Sequence, residues 1–492
     1  MIKQQANFNQ ALWLSLSYTS SMLVGILSSA ILSRYFDKIE YGTYKQIMYV
    51  YQIMLTLFQA GLPAVFTFFL PRYSMGEGKY IVKKVNQLLL IFGGVFSITL
   101  YLSSSFIASV LHNPELSTGL KLFSIFPLFT LPTLGVEGIY TVNKNTRFYA
   151  IYQIATRTLM LLCIIVPVIF IKNDYKYALV GWGVASFITL IIASVAKQYA
   201  YKGFTPKIVK GISPKIFKYS LPIMGAALVG MLFNSSNQFF ISRYYGSEAF
   251  ADYSNGYLTL PFVAIFIAPV RALLVPIFSK SNKEGNYENA LNTMYAGMKQ
   301  IAILMIPLIA FSFINASDII TFIYGENYSN SYPYFQIFLI FNFFEIFVFS
   351  VIINALGRTD LDLYFTIFST LLLWASCFIV VRTFFCPPYI IAMLFVICNI
   401  MAKYILPGIY LIHKVKIKII NTTIITLILK ILVHTTIIAI LTSIAINYIF
   451  PTIDTLLKLI ILIIVFYTFL VLTSKIISID YLQAMKKFTK RA

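Results

Sequence analysis

Charge is scarce in this chain, and acid is scarcer than base. Of 492 residues only 17 are Asp or Glu, against 38 Lys or Arg; 11% are charged and 59% hydrophobic. A soluble domain carries roughly 25% charged residues, so this composition excludes a water-facing globule. Histidine is nearly missing: His112, His413 and His434 are the three, far apart in sequence. With no nucleophile or acid–base constellation beside them, no catalytic centre is read and the chain is not expected to be an enzyme. The four cysteines (Cys163, Cys377, Cys386, Cys398) lie in or beside apolar runs without metal or disulfide spacing. They read as packing residues, and neither a metal nor another cofactor is expected. No G-x-x-x-x-G-K-[ST] nucleotide loop occurs, and no cleavable signal peptide is expected ahead of the first apolar run. Apolar–polar alternation is lacking too, which excludes a β-barrel and leaves helices as the way to satisfy a backbone in lipid.

What is present is apolar length. Mean hydropathy is +0.81, and runs of the roughly 20 residues needed to span a bilayer recur from end to end. They give fourteen candidate spans: 11–33, 47–70, 86–111, 119–141, 148–171, 177–196, 217–242, 250–279, 295–316, 333–356, 362–382, 388–412, 421–448 and 455–478. The fold class is an all-α polytopic membrane protein. The formal charge of +21 would suggest nucleic acid in a soluble chain. Here the basic residues fall in short loops, where they set topology and meet anionic lipid, and nucleic acid is not an expected partner. Loops at 72–84, 144–147, 197–218, 280–283 and 414–418 and the tail at 475–491 hold most of the Lys and Arg. The positive-inside rule therefore places both termini in the cytoplasm.

One passage occurs twice. Residues 34–44 read RYFDKIEYGTY, and residues 243–253 read RYYGSEAFADY. At nearly the same interval, PRYSMGEGK (71–79) is echoed by SKSNKEGNY (279–287), and VNKNTR (142–147) by INALGR (353–358). Six spans separate the members of each pair, so the halves are parallel repeats related by an axis along the membrane normal, a transporter arrangement. The expected domains are a six-helix bundle over 1–200, a basic linker at 201–216, a second bundle over 217–415, and an appended helix pair with a basic tail over 416–492.

The stretches SRYFDKIEYGTY (33–44), RYYGSEAFADYSNGY (243–257), FIYGENYSNSYPYFQIF (322–338) and INALGRTD (353–360) resemble landmarks of one family over roughly residues 7–415. It is the polysaccharide-transport branch, the Wzx-type flippases, of the multidrug/oligosaccharidyl-lipid/polysaccharide (MOP) exporter superfamily. The resemblance implies two six-helix bundles in a V around a central cavity, in a bacterial cytoplasmic (inner) membrane. It implies movement of a polyprenyl-pyrophosphate-linked oligosaccharide from inner to outer leaflet, the glycan being an O-antigen (lipopolysaccharide), capsule or exopolysaccharide unit. Implied partners are that lipid-linked glycan, membrane lipid and, as candidates, other glycan-assembly proteins.

Such cargo needs a hydrated, cationic hollow, because stripping water from sugar hydroxyls unreplaced costs several kcal/mol per group. Within NSSNQ (234–238), Asn234, Asn237 and Gln238 lie three or four apart and are expected to share one sugar-facing side of a helix; polar glue between helices is the other reading. Ionisable residues inside spans are expensive and point to an interior position. Arg271 is the expected diphosphate ligand, with an ion pair to Glu345 as the competing reading. Arg157 and Glu137 either pair within the first half or meet cargo. Lys403 either adds positive potential or snorkels inward, and Glu137 and Glu345 are candidates for ion coupling. Arg34 and Arg243 form an outer gate or anchor headgroups. Two other functions are weighed. A cation-coupled multidrug exporter of the same superfamily would want carboxylates in its cavity, and the intramembrane charges here favour cations. A membrane glycan polymerase or ligase would need catalytic groups on long outer loops, and those loops are short.

Overall fold

The protein is described by a computed structural model covering residues 2–258, 260–384, 386–416, 419 and 421–483. Lys418 and the basic tail residues Lys486, Lys487, Lys490 and Arg491 lie outside the described residues. Among the described residues the secondary structure is helical, without strands. Among the described residues thirteen helices are long and apolar enough to cross a membrane, fourteen if one bent pair is counted as a single broken span. In chain order these are α1 (Trp13–Tyr35), α2 (Lys38–Arg72), α3 (Met75–Val110), α4 (Glu115–Val142), α5 (Thr146–Phe170), α6 (Tyr175–Tyr199), α7 (Ile212–Asn234), α8 (Ile265–Glu284) and α9 (Glu288–Ile314). Then come α10 (Glu326–Phe344 and Phe349–Ala355, bent by 48°), α11 (Thr359–Thr383), α12 (Tyr389–His413), α13 (Thr422–Ile449) and α14 (Thr455–Ile476).

The few polar residues between apolar runs start the helices. Free N–H groups at a helix start need acceptors. Asp37 accepts from the Glu40 amide at 2.8 Å, Asp174 from Lys176 at 2.9 Å, Asn421 from Thr423 at 2.9 Å and Asp454 from Leu456 at 3.0 Å. Ser74 and Glu77 form a capping box at the start of α3. Acid is rare here, and four of the 17 acidic residues are used on these caps.

Three spans are broken inside the protein: α2 at Ala60 (φ 49°) and Gly61 (φ 67°), and α4 and α10. α4 runs through Pro127 and a tight turn at Leu131–Thr133. Leu134 is then extended and Gly135 takes φ 90° before helix resumes at Val136; only glycine adopts that conformation cheaply. α10 breaks after Phe344, with Glu345 at the break. The seventh and eighth spans depart from expectation. α7 ends at Asn234, and a separate Ser236–Gly256 helix follows, itself bent at Gly246. The polar run NSSNQ ends the seventh span, because Ser, Asn and Gln favour caps over helix interiors.

The chain divides into two compact units, 1–251 and 252–492, and this division lies beyond the 201–216 loop. α7 belongs with the first unit. Tyr219 stacks on Phe68 of α2 with centroids 3.9 Å apart. The basic loop is also strapped down: the Lys207 amide donates to the Gly76 carbonyl at 2.9 Å, and Lys79 Nζ donates to the Phe204 carbonyl at 2.8 Å. In that unit α1 packs along α5, α5 along α6, and α3 along α4. In the second unit α13 packs along α9 and α14 along α13. The last pair is fastened there by Lys458 Nζ on Asp318 Oδ2 at 2.8 Å and by Phe466 against Phe311.

Close packing of α5 on α6 depends on Gly181, where a β-carbon would overlap the Cys163 carbonyl. Small residues allow such approach where hydrophobic drive between helices is weak. Gly181→Val is expected to destabilise the protein by about 1–3 kcal/mol, the usual scale of overpacking. It should appear as a lowered melting temperature of detergent-solubilised protein.

Candidate functional site

The first unit encloses a cavity of about 480 Å³, within the roughly 300–1,000 Å³ of small-ligand sites. Its wall comes from α1, α2, α4, α5 and α6, and from the unwound part of α4 in particular. Trp182, Tyr51 and Tyr152 give it aromatic faces, Gln52 and Gln153 give it amides, and Glu137 and Arg157 give it charge. The break in α4 brings Glu137 here, in the first turn after Gly135. Its carboxylate accepts from the Tyr18 hydroxyl of α1 and, at 3.2 Å, from the Tyr149 hydroxyl of α5. Gln153 Nε2 donates to Ser21 Oγ at 2.9 Å, also joining α5 to α1.

Arg157 shares the cavity with Glu137 but makes no ion pair with it. Its hydrogen-bond contact within the protein is Nη1 to Met160 Sδ at 3.8 Å, a weak acceptor. The pairing considered between these two residues is therefore not formed. Glu137 is satisfied by tyrosines, and the guanidinium of Arg157 is left with donors to spare.

The second unit reverses this. Arg271 donates through Nη2 to Glu345 Oε2, so the competing reading of Arg271 as an ion-paired residue is the one formed. The Arg271 side chain is 38% exposed and that of Glu345 11%. Arg271 Nε is buried without a partner. Lys403 lies within electrostatic range of Glu345, Arg271 and Asp362, its ammonium 5.0 Å from the Phe341 ring centroid. It stands on a π-helical turn, Met401–Ile405, a local widening common at functional positions. The Tyr404 hydroxyl faces Glu345 but closes no hydrogen bond of standard geometry. A neighbouring cavity of about 320 Å³, bordered by Tyr404, Phe344 and Phe347, is almost wholly apolar.

The three amides expected on one face do not share one. The helix ends between them: Asn234 is exposed and turns back onto the Gly230 carbonyl at 2.8 Å. Asn237 is fully buried and Gln238 half-buried. None of the three lines the 480 Å³ cavity. The 3.6-residue spacing argument fails because the helix on which it depended stops at Asn234.

Arg243 is tied into the first unit. It donates to the Val110 carbonyl, its own carbonyl meets His112 Nδ1 at 3.0 Å, and next to it Ser242 Oγ accepts from Gln46 Nε2 at 2.8 Å. Asn113 Nδ2 completes the cluster on Gln46 Oε1 at 2.6 Å and Thr43 Oγ1 at 2.9 Å. This clasp of polar groups holds the Ser236–Gly256 helix against α2 and the loop after α3. Arg34 is exposed at the end of α1.

Sequence reasoning missed the buried charge of Lys197, read as a loop residue because it adjoins the basic 197–218 segment. It lies inside α6 and is 3% exposed. Its place next to the apolar run 177–196 was the available signal.

The sequence model of the family described as polysaccharide biosynthesis protein matches residues 8–282. Curated protein sequences give no match. Among solved structures, "Lipid II flippase MurJ, inward closed conformation" is similar with a TM-score of 0.68 at 14% identity, covering 94% of this chain and 99% of that one. An inward-facing multidrug resistance MATE family transporter of the MOP superfamily has a TM-score of 0.59 at 14% identity, covering 83% and 96%. A MOP superfamily transporter from Pyrococcus furiosus, whose title describes a binding pocket of reversed polarity, has 0.56 at 14% identity, covering 82% and 94%. At these identities the likeness is one of fold.

Replacing Arg271 by Met leaves Glu345 buried without its cation, and replacing both removes the problem. The two single variants and the double variant should therefore be non-additive in thermal stability, with a coupling of about 1–3 kcal/mol. Additive losses would mean that the pair does not stabilise the fold.

Proposed function

Because this chain belongs to the polysaccharide biosynthesis protein family, within the MOP exporter superfamily, we propose that it is a flippase for a polyprenyl-diphosphate-linked oligosaccharide. The cargo is an O-antigen, capsule or exopolysaccharide unit, carried from the inner to the outer leaflet of a bacterial cytoplasmic membrane by alternating access. The basic face is the cytoplasmic one, and both termini lie on it. The observation that carries this reading is the cavity of the first unit, which combines hydrogen-bonding amides, aromatic faces and an Arg157 guanidinium with no carboxylate partner.

Each part answers a need of the cargo. Amides and hydroxyls replace the water lost by the sugars. A guanidinium grips phosphate oxygens through paired N–H donors. Arg271 was the expected diphosphate ligand; with Glu345 already on it, Arg157 is the readier of the two. Arg271, Glu345 and Lys403 then form a second charged locus that cargo reaches only by displacing Glu345. The lone carboxylate of the cavity, Glu137, already accepts two tyrosine hydroxyls, which leaves it less suited to a cationic drug than a free carboxylate would be.

Outward passage of an anion from a cell negative inside is electrically downhill by about 2.3 kcal/mol per charge per 100 mV. Movement of fluorescent lipid-linked glycan in proteoliposomes should therefore accelerate with an imposed potential of that sign; indifference to potential would remove this driving force. Arg157→Ala is expected to cut glycan export by about tenfold or more, the scale of a lost charge-assisted hydrogen bond of roughly 1.5–3 kcal/mol. Arg157→Lys should be intermediate. Export at the full rate by Arg157→Ala, or drug resistance conferred by the unaltered protein without glycan export, would overturn the assignment.

A further inference from the structure

The break in α4 frees backbone carbonyls inside a bilayer protein, where an unsatisfied polar group is costly. Two of them have a shared partner. Lys197 Nζ, reaching from α6, donates to the Pro132 carbonyl at 2.8 Å and the Leu134 carbonyl at 2.5 Å. Its third hydrogen goes to Asn86 Oδ1 of α3 at 2.7 Å. All three ammonium hydrogens are thus used, and among the described residues no carboxylate lies within 4.0 Å of the lysine. Behind it the Phe66 ring sits 5.5 Å from Nζ and fills the space that a β-carbon on Gly135 would take.

The segment held in this way is a wall of the cavity. Thr133, Leu134, Gly135, Val136 and Glu137 all line it, and Glu137 follows the second captured carbonyl by three residues. We propose that Lys197 is a positioning residue for the headgroup site. It fixes the unwound turn of α4 so that Glu137 stands between Tyr18 of α1 and Tyr149 of α5, the helix that also carries Arg157. This rests on the reading of that cavity as the headgroup site.

The geometry explains why lysine is needed. Its ammonium sends three donors in three directions from one point, whereas the planar fork of arginine sends them in one plane. A methionine of similar length donates nothing and leaves two buried carbonyls unmet. The second unit has no such pin on its broken span. Lys403 approaches α10 but makes no hydrogen bond, resting over Phe341 instead. At the first unit's break an ammonium holds the backbone carbonyls; at the second's a side-chain pair, Glu345 with Arg271, sits instead.

The test uses the full chain in lipid nanodiscs with Trp13→Phe and Trp374→Phe, so that Trp182 on the cavity wall is the sole tryptophan. Lys197→Met is expected to increase acrylamide quenching of Trp182, as the loosened wall admits water, and to lower glycan export in cells about tenfold, the cost of a small misplacement at a site. Lys197→Arg should restore export only in part. In a Glu137→Gln background, Lys197→Met should add no further loss of export, because it acts through that carboxylate; a general structural role would multiply the two losses. Unchanged quenching in Lys197→Met, or independent losses in the double variant, overturns the proposal. Should Lys197→Met fail to fold, Asn86→Leu, which removes one acceptor, decides by the same quenching measurement: an increase supports the proposal and no change overturns it. Quenching does not depend on the cargo. A failure of the glycan reading, shown by Arg157→Ala, therefore stays distinguishable from a failure of this one.

Discussion

A backbone carbonyl inside a membrane has no water to fall back on, and this single constraint shapes the molecule. Regular helix satisfies the chain everywhere it faces lipid. Among the departures, those in α4 at Leu131–Gly135 and in α10 after Phe344 occur within compact units, where side chains can reach the freed groups. At the first break the partner is an ammonium; the second carries a carboxylate bound to a guanidinium. At these two breaks, charges that are rare within the spans lie where helical order is given up.

That concentration produces two unlike sites from similar parts. Each unit has a broken span with a glutamate at the break. Glu137 takes tyrosine hydroxyls and leaves Arg157 open to the cavity. Glu345 takes Arg271 directly. A carboxylate in a low-dielectric interior needs donors of one kind or another, and the choice of donor decides whether a cation nearby is left over for a ligand. Proximity in the fold, rather than residue type, makes one arginine available and the other occupied.

The family and the class of fold were legible in the residues because both rest on one-dimensional signals. The apolar runs, the basic loops and the passages at 33–44, 243–257, 322–338 and 353–360 needed no contacts to be read. Among the span boundaries that moved, the seventh did so because the polar run NSSNQ was taken as part of a helix rather than as its end. Among the site candidates, the intramembrane charges were visible as charges, yet their partners were not. Arg271 could be seen to have Glu345 as one option, and Arg157 to have Glu137; only one of the two pairs is formed. Lys197 was hidden by its neighbours, since a lysine at the edge of an apolar run looks like the first residue of a basic loop.

By itself the sequence determined that the chain crosses a bilayer many times as helices, since apolar length and scarce charge permit nothing else. It also carried the landmarks of the family to which the chain belongs. The tertiary structure alone decided which charges are spent on one another and which remain for a ligand. It also decided where the 480 Å³ cavity lies and that α6 supplies the cation holding its wall. Hydropathy is a property of each residue and survives in a string of letters. A hydrogen bond between α6 and α4 is a property of two segments more than 60 residues apart, and exists only once the chain has folded.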